Sequence, residues 1–94
     1  MTPTELTYRR GHAANRILGD PDVMSVLGEL EAELVTQWAA THPNKPDDRE
    51  SIFRQVKALE LFQAQLETWR NNMLHLDAKM VQTKRDQQGN QAEA

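Results

Sequence analysis

The chain has 94 residues, of which 27% are charged and 38% hydrophobic, and a formal net charge of −3. One small domain is the default for this length, and the charge balance lacks the strongly basic footprint of a nucleic-acid-binding protein. The absence of cysteine excludes disulfides, zinc–thiolate sites and thiol catalysis, and it fits a cytoplasmic location. We expect no membrane span and no signal peptide, because neither apolar pattern occurs in the sequence.

The first predicted helix covers residues 3–18. Thr2 can act as its N-cap, Pro3 suits the first helical position, and Glu5 completes a capping box. The apolar face of this helix is weak, and Gly11 in its middle costs roughly 1 kcal/mol relative to alanine. A helix of this length is marginal by itself, so we expect it to dock on another element.

The second predicted helix covers residues 21–40. We expect Gly19 to end the first helix in the left-handed conformation, Asp20 to cap the second, and Pro21 to be its first residue. Apolar residues at helical spacing indicate one buried side, and acidic residues occupy the opposite side. The apolar stripe consists of Val23, Leu27, Leu30, Leu34 and Trp38, and the opposite side carries Glu29, Glu31, Glu33 and Gln37.

A third and much longer helix is predicted over residues 47–82, after a loop with two prolines, and Asp47 is expected to cap it. Its apolar residues recur near heptad spacing, with a break in phase between Leu59 and Phe62. A short loop between two long amphipathic helices predicts an antiparallel hairpin. Residues 83–94 include no large apolar side chain, so a flexible polar tail is expected there.

The predicted fold is all-α, with one domain over residues 1–82. It is an antiparallel helical hairpin with one long C-terminal helix, on which the shorter N-terminal helix is docked. The second helix is about 30 Å long and the third about 50 Å, so the second cannot cover the third. We expect the first helix and a second copy of the protein to bury the uncovered half together. The predicted interface residues are Trp69, Met73, Leu76 and Met80.

Arg9, Arg10 and Arg16 form the most concentrated cationic patch in the sequence. Arg9 and Arg16 share a helical face with His12, and these residues are candidates to contact nucleic acid or an acidic partner. Three arginines are few for nucleic-acid binding, however. The favoured interpretation is a solvated helix face that pairs with the acids of the second helix.

Two acidic clusters each have a structural and a functional interpretation. Of the three glutamates in the second helix, only Glu29 and Glu33 share a face, which favours solvation over metal binding. The acids near His42, which are Asp47, Asp48 and Glu50, favour stabilisation of the third helix over cation binding. No glycine-rich phosphate loop, nucleophile elbow or other catalytic motif occurs, so we expect no enzyme activity, cofactor or metal.

A pattern of short motifs extends over residues 10–66. Its members are Arg10, Ala13-Ala14, Ile17-Leu18, Asp20-Pro21, Trp38, the proline-containing loop, Arg49-Glu50 and Lys57-Ala58-Leu59. This pattern resembles small helical proteins of tailed bacteriophages, many of which are uncharacterised. The resemblance implies a phage structural or accessory protein that acts in the host cytoplasm or the virion, and it carries over no functional residue.

Three functions are consistent with these features. The leading hypothesis is a small non-enzymatic helical interaction protein that forms a homo-oligomer, as a phage structural, assembly or accessory component that also meets phage or host proteins. The first alternative is a nucleic-acid-binding packaging or regulatory protein that uses Arg9, Arg10 and Arg16. The second is an inhibitor of a host protein, in which the acidic face of the second helix mimics nucleic acid. None of them involves a membrane.

Overall fold

The computed structural model describes the backbone of residues 1–93 and the side chains of residues 1–88, and this part of the chain forms three α-helices. They are α1 (Pro3–Leu18), α2 (Pro21–Ala40) and α3 (Pro46–Glu93). Both α1 and α2 lie against α3. The molecule measures 76 × 25 × 25 Å, and a helix of 48 residues accounts for its length. The predicted all-α fold, with a long C-terminal helix and a docked N-terminal helix, is confirmed.

Side-chain caps fix the starts of the two shorter helices. Thr2 Oγ1 accepts a hydrogen bond from the Glu5 N–H at 3.1 Å. Asp20 Oδ1 accepts from the N–H groups of Asp22 and Val23, at 2.9 and 3.3 Å. These bonds satisfy backbone donors that have no partner inside the helix. Both predicted caps are therefore confirmed.

The link between α1 and α2 differs from the prediction. Gly19 has φ −86° and ψ −4°, a right-handed conformation, so the expected left-handed turn at this residue is wrong. Its N–H still donates to the Asn15 carbonyl oxygen at 2.9 Å, as in a continuing helix. The next N–H, that of Asp20, donates to the Ile17 oxygen at 3.2 Å. The chain therefore passes from α1 to α2 through a tightened last turn and needs no left-handed residue.

The start of α3 also differs by one residue. Pro46 is its first residue, and the fixed φ of proline suits this position. Asp47 and Asp48 consequently lie in the first turn, and Asp47 is not the cap. Their negative charges are still favourable there, because they face the positive end of the helix dipole. In the preceding loop the Asn44 N–H donates to His42 Nδ1 at 3.2 Å, which gives this histidine a structural partner.

The end of α3 lies well beyond the predicted residue 82, since the helix continues to Glu93. Residues 83–88 include no proline or glycine that would stop it. The Gln82 side chain also donates to Asp86 Oδ1 at 3.1 Å, a favourable pair one turn apart. The predicted boundary at residue 82 is therefore wrong. Residue 94 and the side chains of residues 89–94, which belong to the predicted flexible tail, lie outside the described part of the chain.

One side of α3 faces the other two helices, and its residues keep an unbroken heptad spacing. We call them the seam: Arg49, Ile52, Val56, Leu59, Gln63, Leu66, Arg70 and Met73, all buried or half-buried. The predicted break in phase is wrong, because Gln63 occupies the seam while Phe62 is 47% exposed. A continuous heptad repeat is typical of helices that supercoil around one another.

The molecule has two ends along the seam, one beside each of the short helices. We call α1 with residues 66–82 of α3 the α1 end, and α2 with residues 46–62 of α3 the α2 end. The chain reverses direction once, between α2 and α3, so both short helices run antiparallel to the long one. The two ends bury their apolar residues to very different degrees.

Candidate interaction surface

At the α1 end, small residues let two helices approach closely. Gly11 is buried and Ala14 is 0% exposed. A Cβ atom on Gly11 would overlap the Cβ of Met73 and would lie 2.8 Å from its Sδ. Met73 is therefore packed directly against the α1 backbone. The sequence analysis counted Gly11 only as a cost to α1, whereas the structure shows that it is the contact point between the helices.

The predicted interface residues lie mostly inside this packing. Met73 is 4% exposed, and Trp69 and Leu76 are half-buried. The Arg10 guanidinium lies 5.3 Å from the centroid of the Trp69 ring and covers it further. Only Met80, which is 46% exposed, remains open among the four. Helix α1 therefore covers Met73 fully and the other three residues only in part, and binding of a second copy through these residues stays a prediction.

Tyr8 connects α1 to the same part of α3. Its hydroxyl lies 3.1 Å from Met80 Sδ. A hydrogen bond to the nearby Asp77 carboxylate is the main reason why the pKa of Tyr8 is raised above the ordinary 10.0. The carboxylate is a stronger acceptor than the thioether and also disfavours the charged phenolate form of Tyr8. This polar contact supports the placement of α1 along α3.

The predicted cationic patch is split by the structure. Arg9, His12 and Arg16 are exposed together on the outer side of α1. Arg10 is instead placed over Trp69, on the side of α1 that faces α3. Two arginines and a histidine remain on one face, which is a small surface for phosphate contacts. Contact of Arg9, Arg10 and Arg16 with nucleic acid or an acidic partner stays a prediction.

The α2 end buries much less of its apolar surface. Leu34 is its only buried apolar residue in the described chain, at 7% exposure. Eight large apolar side chains of this end are exposed: Val23, Val26, Leu30, Val35, Trp38, Phe53, Leu61 and Phe62. An exposed set of this size in a small domain indicates an interaction surface.

Several of these side chains flank the seam on two sides. On one side, which we call the groove side, Val35 and Trp38 of α2 and Phe53 and Val56 of α3 line a shallow apolar groove. On the opposite side, Phe62 precedes the seam residue Gln63. Phe53 follows a seam residue and Phe62 precedes one, so the two phenylalanines lie on opposite sides of α3.

Cations of α3 border the groove. The Arg49 guanidinium lies 4.4 Å from the centroid of the Trp38 ring, and Lys57 Nζ lies 5.4 Å from that of Phe53. Both contacts are within the range of cation–π attraction. Their charged groups leave the outer edges of the rings open, since Trp38 is 39% and Phe53 is 50% exposed.

The acids of α2 do not line the groove. The helix carries four carboxylates and no lysine or arginine, and Glu31 is half-buried while Asp22, Glu29 and Glu33 are exposed. The ion pairs of the described residues are Arg54–Glu50 at 2.7 Å and Lys57–Glu60 at 3.1 Å, both within α3. The acids of α2 thus have no cationic partner in the described chain, and the predicted pairing with the arginines of the first helix is wrong.

The groove offers apolar area with cations of α3 beside its aromatic rings, which suits a helical partner. Among the described residues, no three histidine, aspartate or glutamate side chains are placed to hold a metal ion. No helix in that part of the chain is both long and apolar enough to cross a bilayer. Comparisons with known proteins found no family model, curated protein or solved structure that matches this chain.

Proposed function

We propose that this protein is a small non-enzymatic helical interaction protein that binds a second copy of itself. The observation that carries the proposal is the exposure of eight large apolar side chains at the α2 end, where Leu34 alone is buried. A chain of this length can bury only a small hydrophobic core. Removal of apolar surface from water favours association by about 25 cal/mol per Å².

The biological setting is a separate part of the proposal. A role as a structural, assembly or accessory component of a tailed bacteriophage is supported by the resemblance over residues 10–66 alone. In that setting the self-associated protein would meet another phage protein or a host protein. The exposed apolar surface of the α2 end supports self-association whether or not the protein comes from a phage.

Sedimentation velocity and light scattering across a wide range of concentrations test the proposal. We expect the mass to rise with concentration from the 10.8 kDa of one chain to at least that of a dimer. The reason is that the exposed apolar surface gains free energy when a second copy covers it. A stable monomer at high concentration would overturn the proposal.

One variant locates the contact along the molecule. Met80→Glu changes the exposed member of the sequence-predicted interface at the α1 end. We expect it to leave the dimer intact, because most of that region is already covered by α1. Loss of association in this variant would place the contact at the α1 end, as the sequence analysis predicted.

A further inference from the structure

We infer that the second copy binds in the opposite direction, so that α1 of each copy lies along α2 of the other. The two-fold axis is at right angles to the helices and passes near Gly19, between α1 and α2. The contact surface is the outer side of α1 and α2, which faces away from α3. The inference rests on the proposed self-association, and it adds the surface and the geometry.

The two short helices lie end to end along α3. Gly11 of α1 packs on Met73, whereas Trp38 of α2 lies beside Arg49, so the two helices occupy different parts of α3. They are joined by a tightened turn at Gly19. With 16 and 20 residues, they present one outer side that is about 54 Å long.

The charge of this outer side changes sign at the link. Helix α1 carries three arginines and one acid, Glu5, whereas α2 carries four acids and no lysine or arginine. The ion pairs of the described residues lie within α3, so neither set of charges is neutralised there by a cation or an acid of the same chain. A symmetric dimer uses one surface twice, so that surface must complement itself. A cationic helix followed by an acidic helix does so when the second copy is turned end for end.

Helical spacing places the charged side chains on the outer side. Glu29 is two residues after Leu27, which faces α3, and two residues before another inward-facing position. Two residues correspond to just over half a turn, so Glu29 points away from α3. On α1, Arg9 is two residues before Gly11 and Arg16 is two residues after Ala14, and both arginines are exposed. The arginines therefore point outward in the same way.

The spacing of the charges matches between the two helices. Arg9 and Arg16 are seven residues apart, as are Asp22 and Glu29, and all four side chains are exposed. Seven residues extend over about 10.5 Å in either helix, so one two-fold axis brings both pairs together. Arg9 of one copy then faces Glu29 of the second copy, and Arg16 faces Asp22. Each contact occurs twice in the dimer.

Exposed apolar side chains adjoin the acids of α2. Val26 is three residues before Glu29 and is 62% exposed. Val23 and Leu30, about one turn to either side of Val26, are 37 and 41% exposed. Arginine stems from α1 of the second copy can cover these side chains while the guanidinium groups reach the acids. Apolar burial and ion pairing therefore favour the same contact.

The size of the contact predicts a dimer of modest affinity. A strip about 54 Å long and one helix diameter wide, about 10 Å, has roughly 540 Å² per copy. Standard interfaces bury about 800 Å² per partner. One like-charged pair also opposes the contact, since Glu5 and Glu33 come to the same level. Glu5 lies in the first turn of α1, where the positive end of the helix dipole offsets its charge.

Ionic strength separates this contact from a purely apolar one. We expect a rise from about 50 to about 500 mM sodium chloride to weaken the wild-type dimer at least about threefold, because salt screens exposed ion pairs. Apolar burial does not weaken in this way. Sedimentation velocity at both salt concentrations measures the dissociation constant. An affinity that is unchanged or higher at the higher salt would overturn the arrangement.

A pair of valines tests which side of α2 is used. Val26 and Val35 are 62 and 50% exposed, and nine residues, or two and a half turns, place them on opposite sides of the helix. Val26→Lys should weaken dimerisation at least about tenfold, because it sets a cation against the arginines of α1. Val35→Lys should leave the dissociation constant within about threefold. The reverse result would place the second copy on the groove side and overturn the arrangement.

Mixing two charge-reversal variants tests the pairing. Arg9→Glu and Glu29→Arg should each weaken the homodimer about tenfold or more, because each creates two like-charged contacts. In an equimolar mixture both contacts of the heterodimer again join opposite charges. Native mass spectrometry and sedimentation should then show a heterodimer with nearly wild-type affinity. Within one chain the two residues are about 30 Å apart, so recovery can only come from contact between chains.

Glu67→Arg is the matched control, since it makes the same charge change at an exposed residue of α3. Its heterodimer with Arg9→Glu keeps one like-charged contact and should be weaker than that of Arg9→Glu with Glu29→Arg. Equal recovery in the two mixtures would overturn the specific pairing. Circular dichroism confirms that each variant is folded, and Arg16→Glu with Asp22→Lys gives the same test at the other contact.

The outcomes separate the arrangement from the function on which it rests. A wild-type protein that stays monomeric at every concentration would overturn the proposed function itself. A dimeric wild type without recovery in either mixture of charge-reversal variants would overturn only the arrangement.

Discussion

The α1 end and the α2 end use the same long helix but bury apolar surface to different extents. The helix with the weaker apolar face, α1, covers Leu66 and Met73 almost completely, because Gly11 and Ala14 bring its backbone close to α3. The more apolar helix, α2, buries Leu34 and leaves several of its large side chains exposed. The distance between two helices depends on the side chains at their contact. Burial at each end thus follows from how closely the helices approach, and apolar composition alone does not predict it.

The two ends accordingly differ in what they can do. At the α1 end Tyr8, Arg10 and Gly11 are all placed against α3, and the large apolar side chains left exposed are Leu74, Met80 and Val81. The α2 end is open and presents apolar area to a partner. Variants that act on one end and spare the other measure this difference directly.

The largest difference in unfolding free energy is expected between substitutions at two adjacent residues of α3. Met73 is 4% exposed and Leu74 is 52% exposed. Met73→Ala removes a side chain from the contact with α1 and should cost about 2–4 kcal/mol of unfolding free energy. Leu74→Ala should cost less than about 1 kcal/mol, because its side chain is already half in water. Urea denaturation at one protein concentration measures both, and equal losses would contradict the assignment of the core to the α1 end.

Replacement of either of two glycines by alanine should give the next largest change in stability, a loss at one and a gain at the other. In Gly11→Ala the new methyl group must displace Met73, and we expect a net loss of about 1–3 kcal/mol despite the better helix propensity of alanine. In Gly28→Ala nothing lies within 4 Å of the new atom. This variant should gain about 0.5–1 kcal/mol from propensity alone. Thermal unfolding reports both, and a stabilised Gly11→Ala variant would show that the helices are not in close contact there.

Much of the fold was predictable because it depends on local signals. The caps at Thr2 and Asp20 and the two prolines of the loop fix the starts of α1 and α2 and separate α2 from α3. The antiparallel hairpin follows from a short loop between long amphipathic helices. These features need only neighbouring residues, so the sequence contains them in full.

The seam of α3 and the open surface were not predicted, for a physical reason. Hydrophobicity favours Phe62 as the next core residue after Leu59, but the heptad continues through Gln63. The packing role of Gly11 was not predicted either. A glycine lowers helix propensity in any sequence, and it contributes to packing only when a second helix crosses it. Strict heptad spacing from Ile52 is the signal that would have identified Phe53 as a flanking residue.

A smaller loss of stability is expected when the arginines that cover the two tryptophans are replaced. The two ends resemble each other here, because each has one arginine over one tryptophan. Arg49 lies 4.4 Å from the Trp38 ring centroid, and Arg10 lies 5.3 Å from that of Trp69. Each contact is exposed enough that its loss should cost about 0.5–1 kcal/mol. We expect Arg49→Gln to cost more than Arg10→Gln, because Arg49 is nearer its ring and half-buried. Urea denaturation of the variants measures the two losses, and a larger loss for Arg10→Gln would contradict the ranking.

The smallest effect concerns Tyr8, which is the only tyrosine of the chain, so phenolate absorbance reports it alone. Hydrogen bonding to Asp77 raises the pKa of Tyr8 above 10.0. We expect Asp77→Asn to lower this pKa toward 10.0, because an amide neither repels the phenolate nor accepts its proton as strongly as a carboxylate. Since the folded-state pKa lies above that of the unfolded chain, the stabilisation is complete below pH 10.0 and is lost as the pH rises through the folded-state value. An unchanged titration curve in Asp77→Asn would mean that the hydroxyl bonds to Met80 instead, and the α1 end would then be held by apolar contact without this polar link.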